Sequence, residues 1–257
     1  MSSYKNTRIR PMHFIIQTID GQIKHDFSFT LLRSIEYQNW YQQKKACRFS
    51  LTNSESPEFE SDGVPVGSVE FVSGYLEKHH GLKPLPRNIP DQLMPFAGRK
   101  VFPGTHETHL DKSYFAKSRD QIKGFTDFVG PGDPLPPGEY LFSEDIVMET
   151  EYRCFVYQRK LVGLQHYLGD FRIFPDIKTI ERMIESFTRS PVAYTLDVFV
   201  SAGDTFVVEV HDFFSCGLYG FEDHRIYPFM LARWWKEFIQ SAVKPLPSGR
   251  GYKALDR

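Results

Sequence analysis

Alternating apolar and polar positions are clearest between residues 193 and 221, where the sequence reads AYTLDVFVSAGDTFVVEVHDFFSCGLYGF. Val, Phe and Thr dominate two runs, which is typical of β-strands. The intervening Ser201-Ala202-Gly203-Asp204 has the composition of a tight turn. The segment therefore predicts a β-hairpin.

The hairpin is expected to bring two carboxylates together. Because side chains alternate between the faces of a strand, Asp197 lies across from Glu209, and His211 shares the face of Glu209. The same period places Thr205 and Val207 on this face. It places Phe206, Val208 and Val210 on the other. Close carboxylates repel each other, so a bound cation is one solution, and a solvated face balanced by Lys or Arg is the other.

Similar patterns indicate the remaining elements. The predicted strands are 12–19, 64–72, 101–102, 113–118, 125–129, 140–143, 151–156 and 161–167. The predicted helices are 31–47, 73–80, 178–187 and 228–242, and Gly81 is expected to end the second of these. The proline-rich LKPLPRNIPDQLMP reads as a connector. We therefore predict an N-terminal α/β domain (1–95), a larger α+β domain (96–245) and a loose tail (246–257).

Composition narrows the classes of function. The chain has 257 residues and a net charge of −1, so a general attraction to nucleic acid or to anionic membranes is not indicated. No run approaches the ~20 apolar residues that a membrane span needs. Three scattered cysteines without a CxxC pair predict neither a disulfide framework nor a zinc site. We expect a cytoplasmic protein.

Two further segments carry candidate chemistry. YFAKSRDQIKGFTDF places Lys117 and Lys123 close enough to reach the phosphates of one nucleotide, although a solvated face explains two lysines equally well. In EYRCFVYQRKLVG, Glu151 and Arg153 share one strand face. This pair is either a surface ion pair or the start of a phosphate-binding site with a fixed guanidinium fork.

Taken in order, these motifs resemble the ATP-grasp superfamily. The resemblance rests on FAKS (115–118), EYRCFV (151–156), YTLDVFV (194–200) and VEVHDFFSCGLYGF (208–221). VPVGSVEFV and PLPRNIP also resemble the small N-terminal domain of bacterial members. More narrowly, the chain is similar to a divergent clade of bacteria and their phages. That clade is related to a eukaryotic cell-division-cycle factor that helps to assemble a translation initiation complex.

The resemblance implies an α+β fold in which two subdomains hold ATP below a small N-terminal α/β domain. It implies that Lys117, with Lys123 as a second candidate, contacts phosphates, and that Arg153 faces the transferred phosphoryl group beside Glu151. The adenine-binding hinge falls at Glu144, Asp145 and Ile146. The acids that hold Mg²⁺ match Asp197 and Glu209.

One position departs from the family pattern. The family usually has Asn two residues after the second acid, and this chain has His211. Asn offers a hard oxygen, whereas the imidazole nitrogen suits transition metals better than Mg²⁺. Three explanations stay open: His211 is not a ligand, Asp212 takes its place, or the preferred metal differs.

Three functions follow as hypotheses. The first is an ATP-dependent carboxylate–amine ligase with ATP and Mg²⁺, acting on an unidentified carboxylate and amine that include peptides and proteins as candidates. The second is an ATP-binding assembly protein that docks a partner without turnover. The third is an Fe or Mn enzyme built on Glu209, His211 and Asp212.

Overall fold

The computed structural model describes residues 11–53, 63–243 and 252–254. Its N-terminal part is an α/β unit on a small parallel sheet. The elements are strand β1 (Met12–Gln17), helix α1 (Asp26–Tyr41), strands β2 (Cys47–Thr52) and β3 (Val64–Val66), and helix α2 (Val69–His80). β1 lies between β2 and β3 and runs parallel to both. Its central place explains the fully buried run Phe14-Ile15-Ile16, because such sheets are covered on both faces.

A second, antiparallel sheet follows the connector. The elements are β4 (Leu82–Pro84), a 3₁₀ helix (Asp91–Phe96), β5 (Val101–Thr105), β6 (Tyr114–Ser118), β7 (Thr126–Val129) and β8 (Glu139–Ser143). The strand order is β5-β8-β6-β7. Tyr114 and Ala116 point into an aromatic core with Tyr140 and Phe142. Alternation along β6 therefore directs Lys117 to the opposite face.

The third sheet is also antiparallel and carries the predicted hairpin. Its elements are β9 (Thr150–Tyr157), β10 (Lys160–Gly169), α3 (Ile177–Ser186), β11 (Ala193–Ser201) and β12 (Asp204–Asp212), with strand order β10-β9-β11-β12. Helix α3 covers one face, where Met183 and Ile184 share a core with Leu196. The other face carries Arg153 and Asp197, which are direct neighbours across β9 and β11.

The last helix joins the first and third sheets into one core. Helix α4 (Tyr227–Val243) is followed by β13 (Tyr252–Ala254), which pairs with β4. Phe14 and Phe71 of the N-terminal unit belong to the same buried cluster as Phe155 of β9 and Trp234 of α4. No helix within residues 11–53 and 63–243 is long and apolar enough to cross a membrane.

One register irregularity corrects the face assignment within β12. The predicted pairing of the two acids is confirmed, but Val198 pairs with Val207, so Val208 is an extra residue in its strand. An extra residue reverses the alternation beyond it. Val207 and Val210 therefore both enter the core beneath α3. The predictions that Val207 shares a face with Glu209, and that Val210 shares one with Val208, are wrong.

Most predicted elements are confirmed, with shifted ends. Helix α1 begins five residues earlier than predicted, and strand β2 replaces the end of that predicted helix. Gly81 ends α2 in the left-handed conformation that its lack of a Cβ permits, with φ of 64°. The predicted loop at 53–62 lies outside the described residues except at its first position, and so does most of the predicted tail. Within that tail, Tyr252–Ala254 form β13. The domain boundaries stay a prediction.

Candidate active site

Arg153 and Asp197 form a buried ion pair at the centre of the third sheet. Arg153 Nε donates to Asp197 Oδ1 at 2.8 Å, and Nη2 donates to Oδ2 at 2.7 Å. The two residues are 8 % and 1 % exposed. Burial alone lowers the pKa of Arg153, but the neighbouring Asp197 carboxylate raises it above its ordinary value. A fixed, permanently charged guanidinium therefore lies in this face of the sheet.

Glu209 connects this pair to the second sheet. Lys117 Nζ of β6 contacts Glu209 Oε2, and His211 Nε2 lies 3.0 Å from Glu209 Oε1. Burial raises the pKa of Glu209, but the nearby His211 and Lys117 lower it well below its ordinary range. Glu209 is therefore ionised at neutral pH. Ligand-type atoms of Asp197, Glu209 and His211 all lie within 4.8 Å of one another.

A cavity of about 300 Å³ opens beside these side chains. Its size is at the lower end for small-molecule sites. The walls come from the connector, β6 with the loop after it, β9, and β12 with the loop after it. The lining residues are Val69, Leu85, Pro86, Arg87, Asn88, Lys117, Ser118, Gln121, Ile122, Lys123, Gly124, Thr126, Arg153, Glu209, His211, Asp212, Phe214, Ser215, Cys216 and Gly217.

The loop 213–221 ties the N-terminal unit to this site. Ser215 Oγ donates to the Gly67 carbonyl at 2.8 Å, and Leu218 N donates to Asp26 Oδ2 at 2.9 Å. The carbonyl of Gly217 accepts from Arg153 Nη1 at 3.1 Å. Ser215 has a φ of 50°, which a side chain rarely adopts unless surrounding contacts hold it. The bonds to Gly67 and Asp26 are such contacts.

Comparison with family models gives a match to an ATP-grasp domain, family 2 of its clade, over residues 96–229, just over half of the chain. The chain belongs to this ATP-grasp family. The predicted superfamily and α+β fold are thereby confirmed. A comparison with curated proteins gave no match.

Solved structures show the same fold. D-alanine–D-alanine ligase from Bacillus anthracis has a TM-score of 0.50 and 11 % identity, and the match covers 91 % of this chain and 99 % of that one. A structure of that ligase complexed with ATP has a TM-score of 0.46 and 10 % identity, with 91 % and 97 % covered. Cdc123 from Schizosaccharomyces pombe has a TM-score of 0.24 and 17 % identity over 32 % of this chain and 36 % of that one.

The structure of this ATP-grasp chain brings five predicted site residues into one cluster across two sheets. They are Lys117, Arg153, Asp197, Glu209 and His211. Lys123 also lines the cavity, but its side chain is 59 % exposed and its Nζ lies 3.3 Å from Glu70 Oε1. Glu151 shares the face of Arg153 and accepts a hydrogen bond from the Tyr167 hydroxyl at 2.5 Å.

Two other predicted groups lie outside the cluster. Among the described cavity-lining residues, none belongs to the segment Glu144, Asp145 and Ile146, and the Glu144 carboxylate binds Lys112 Nζ at 2.8 Å. The adenine-binding hinge therefore stays a prediction. Asp212 lines the cavity, but its Oδ1 is 2.8 Å from Arg87 Nε and accepts from Trp234 Nε1 at 3.0 Å. The structure does not place Asp212 with the other metal-ligand candidates.

Sequence reasoning missed the contribution of the connector. Arg87 and Asn88 line the cavity, and the carbonyl of Asn88 accepts from Val210 N at 2.8 Å. The motif PLPRNIP, noted for its prolines, held the signal: two polar residues stand between rigid turns. Polar residues on a stiff connector are suited to a site, because little entropy is lost when they are ordered.

The two carboxylates fit Mg²⁺. Glu209 faces the cavity, and each of its oxygens keeps a further lone pair after accepting from Lys117 or His211. Asp197 lies behind the fork of Arg153, and His211 Nε2 is 3.9 Å from its Oδ2. Hard oxygen donors are the ligands that Mg²⁺ prefers. His211 acts here as a hydrogen-bonding neighbour that holds the Glu209 carboxylate in place.

Cys216 lines the cavity, yet it should resist alkylation. Burial raises the pKa of its thiol to about 12, and the thiolate is the reactive form. Iodoacetamide at pH 7.5 should leave Cys216 unmodified in the native chain and modify it readily in denaturant, as site-resolved mass spectrometry would show. Because the folded pKa exceeds the unfolded one, this thiol stabilises the fold below about pH 8.5 and less so as the pH rises toward 12. Native labelling at the rate of a free thiol would contradict this prediction.

Proposed function

We propose that the chain is an ATP-dependent carboxylate–amine ligase. The observation that carries this proposal is the cluster of Lys117, Glu209 and Arg153 at a cavity between two sheets, in a chain of the ATP-grasp family. Cations from two separate sheets converge there beside ionised carboxylates. This arrangement suits the transfer of a highly charged phosphoryl group, because such transfer depends chiefly on positioning and charge stabilisation.

The proposed reaction has two steps. A carboxylate oxygen of the donor attacks the γ-phosphorus of ATP, the bond to the β,γ-bridging oxygen breaks, and ADP leaves an acyl phosphate. The nitrogen of an amine then attacks the carbonyl carbon. The new C–N bond forms, the bond from carbon to the phosphate oxygen breaks, inorganic phosphate leaves, and the nitrogen loses one proton. No covalent intermediate with the protein is needed.

Each residue has a definite task in this proposal. The Lys117 ammonium, a point charge on a flexible stem, binds phosphate oxygens. Arg153 presents a guanidinium that Asp197 holds in one orientation, so little reorganisation is needed as charge develops. Glu209 and Asp197 would hold Mg²⁺, which when bound neutralises charge on the phosphates. The loop 213–221 keeps Arg153 in register through Gly217.

Calorimetry of ATP binding tests the nucleotide site. We expect wild-type chain to bind ATP in a Mg²⁺-dependent manner, and Glu209→Gln to lose at least about tenfold of that dependence, since a neutral amide holds Mg²⁺ poorly. Glu181→Gln is the matched control, because Glu181 is exposed on α3. Absence of ATP binding with and without Mg²⁺, or equal binding by Glu209→Gln, would contradict the proposal.

Turnover is tested with a trap for the acyl phosphate. Wild-type chain is incubated with Mg–ATP, a panel of amino acids and short peptides as carboxylate donors, and hydroxylamine as the nucleophile. A ligase should release ADP and form a hydroxamate with at least one donor. Tight ATP binding with no ADP release from any donor would favour the alternative of an ATP-binding assembly protein.

A further inference from the structure

Asn88 carries a buried polar atom that the fold does not use. The residue is 6 % exposed and lines the cavity. Its Nδ2 donates to the Ser118 carbonyl of β6 at 3.2 Å, but its Oδ1 has no hydrogen-bond partner among the described residues. A buried acceptor without a partner costs stability, and most such groups in native proteins have one.

The orientation of this amide follows from its neighbours. Exchanging the nitrogen and oxygen would put Oδ1 against the Ser118 carbonyl, where two acceptors would repel each other. The backbone is also fixed, because the Asn88 carbonyl accepts from Val210 N at 2.8 Å. Val210 stands between Glu209 and His211 in β12. The unused oxygen therefore belongs to a residue clamped between β6 and β12, beside the proposed phosphoryl-transfer residues.

We propose that Asn88 Oδ1 accepts a hydrogen bond from the nucleophilic substrate, and that this substrate is a primary amine with an apolar substituent. An amide oxygen accepts a hydrogen bond but does not take the proton. An amine can donate one N–H to Asn88 and still lose another proton on attack. A hydroxyl has a single proton, which Asn88 would hold in place, and a thiol is a weak donor.

The rest of the cavity agrees with this class of substrate. Val69, Leu85 and Ile122 line it together with Asn88 and offer an apolar wall. The cations in the cavity suit phosphate, not an amine, and so do not compete for this role. This inference rests on the proposed function, since the amine is the acceptor of that reaction.

The test uses the full chain and three variants. Asn88 has a φ of 49°, so Asn88→Gly keeps a relaxed backbone while it removes Oδ1. Asn88→Asp keeps an acceptor oxygen but loses the donor to Ser118. Gln158→Gly is the matched control, because Gln158 has a φ of 50° in the turn after β9 and is exposed. Thermal unfolding establishes that each variant is folded.

The probes are n-butylamine and, as the matched alcohol, n-butanol, titrated by saturation-transfer NMR. We expect n-butylamine to bind wild type, Gln158→Gly and Asn88→Asp, and to bind Asn88→Gly about tenfold more weakly. n-Butanol should bind all four weakly and alike. Equal amine binding by wild type and Asn88→Gly overturns the inference, and so does an equal loss in Asn88→Asp, which would mark the Ser118 bond as structural. Mg–ATP binding by wild type is measured separately, so failure of the ligase proposal is distinguished from failure of this one.

Discussion

Replacement of Arg153 by alanine should lower the free energy of unfolding by about 3–5 kcal/mol, because it leaves the Asp197 carboxylate buried without its partner. Asp197 is 1 % exposed and accepts both of its short hydrogen bonds from Arg153. Water cannot replace the guanidinium at such a site without a rearrangement of the sheet. Urea denaturation followed by circular dichroism measures the change.

A second ion pair of the same type provides the control. Arg172 and Asp170 are also bidentate, at 2.6 Å between Nη2 and Oδ2, but the Arg172 side chain is 77 % exposed. Arg172→Ala should leave stability nearly unchanged, since exposed pairs are weak. If both alanine variants unfold at the same urea concentration as wild type, burial does not make Arg153 important for the fold.

Lys117→Met should reduce turnover of ATP by about two to three orders of magnitude, with little loss of stability. Lys117 is the cation that β6 directs across the cavity to Glu209, and methionine keeps its length and apolar stem without the charge. The rate of ADP release, under the conditions that give the highest wild-type rate, measures the effect.

Two other lysines calibrate this result. Lys123→Met should have a smaller effect, because the Lys123 side chain is 59 % exposed and lies beside Glu70. Lys160→Met, in the exposed turn between β9 and β10, should have none. Equal rates for Lys117→Met and Lys160→Met would remove Lys117 from the proposed mechanism.

The hairpin is predictable because its information is local. Strand period and a Ser-Ala-Gly-Asp turn suffice to place Asp197 opposite Glu209, and the structure confirms that pair. The partner of Asp197 is not predictable in the same way. Nothing local shows that β9 lies next to β11, so the bidentate bond with Arg153 depends on strand order, which only the folded chain defines.

The errors have physical causes as well. The bulge at Val208 leaves no trace in a run of valines, so simple alternation assigns Val207 to the wrong face. The connector reads as a spacer because its prolines dominate the pattern. Its residue Asn88 instead reaches two sheets at once, through Ser118 and Val210, and such long-range contacts cannot be read from a local window.

The core shared by the N-terminal unit, β9 and α4 has a practical consequence for dividing this protein. The family match ends at residue 229, inside helix α4, and begins after the N-terminal unit. A fragment cut at those limits would lose Trp234 and Trp235 and would expose Phe155 and Phe213, which now pack against Phe14 and its neighbours. A boundary drawn from sequence kinship is therefore not a boundary for folding. Exchange of the N-terminal unit between relatives would have to carry α4 and the loop 213–221 with it.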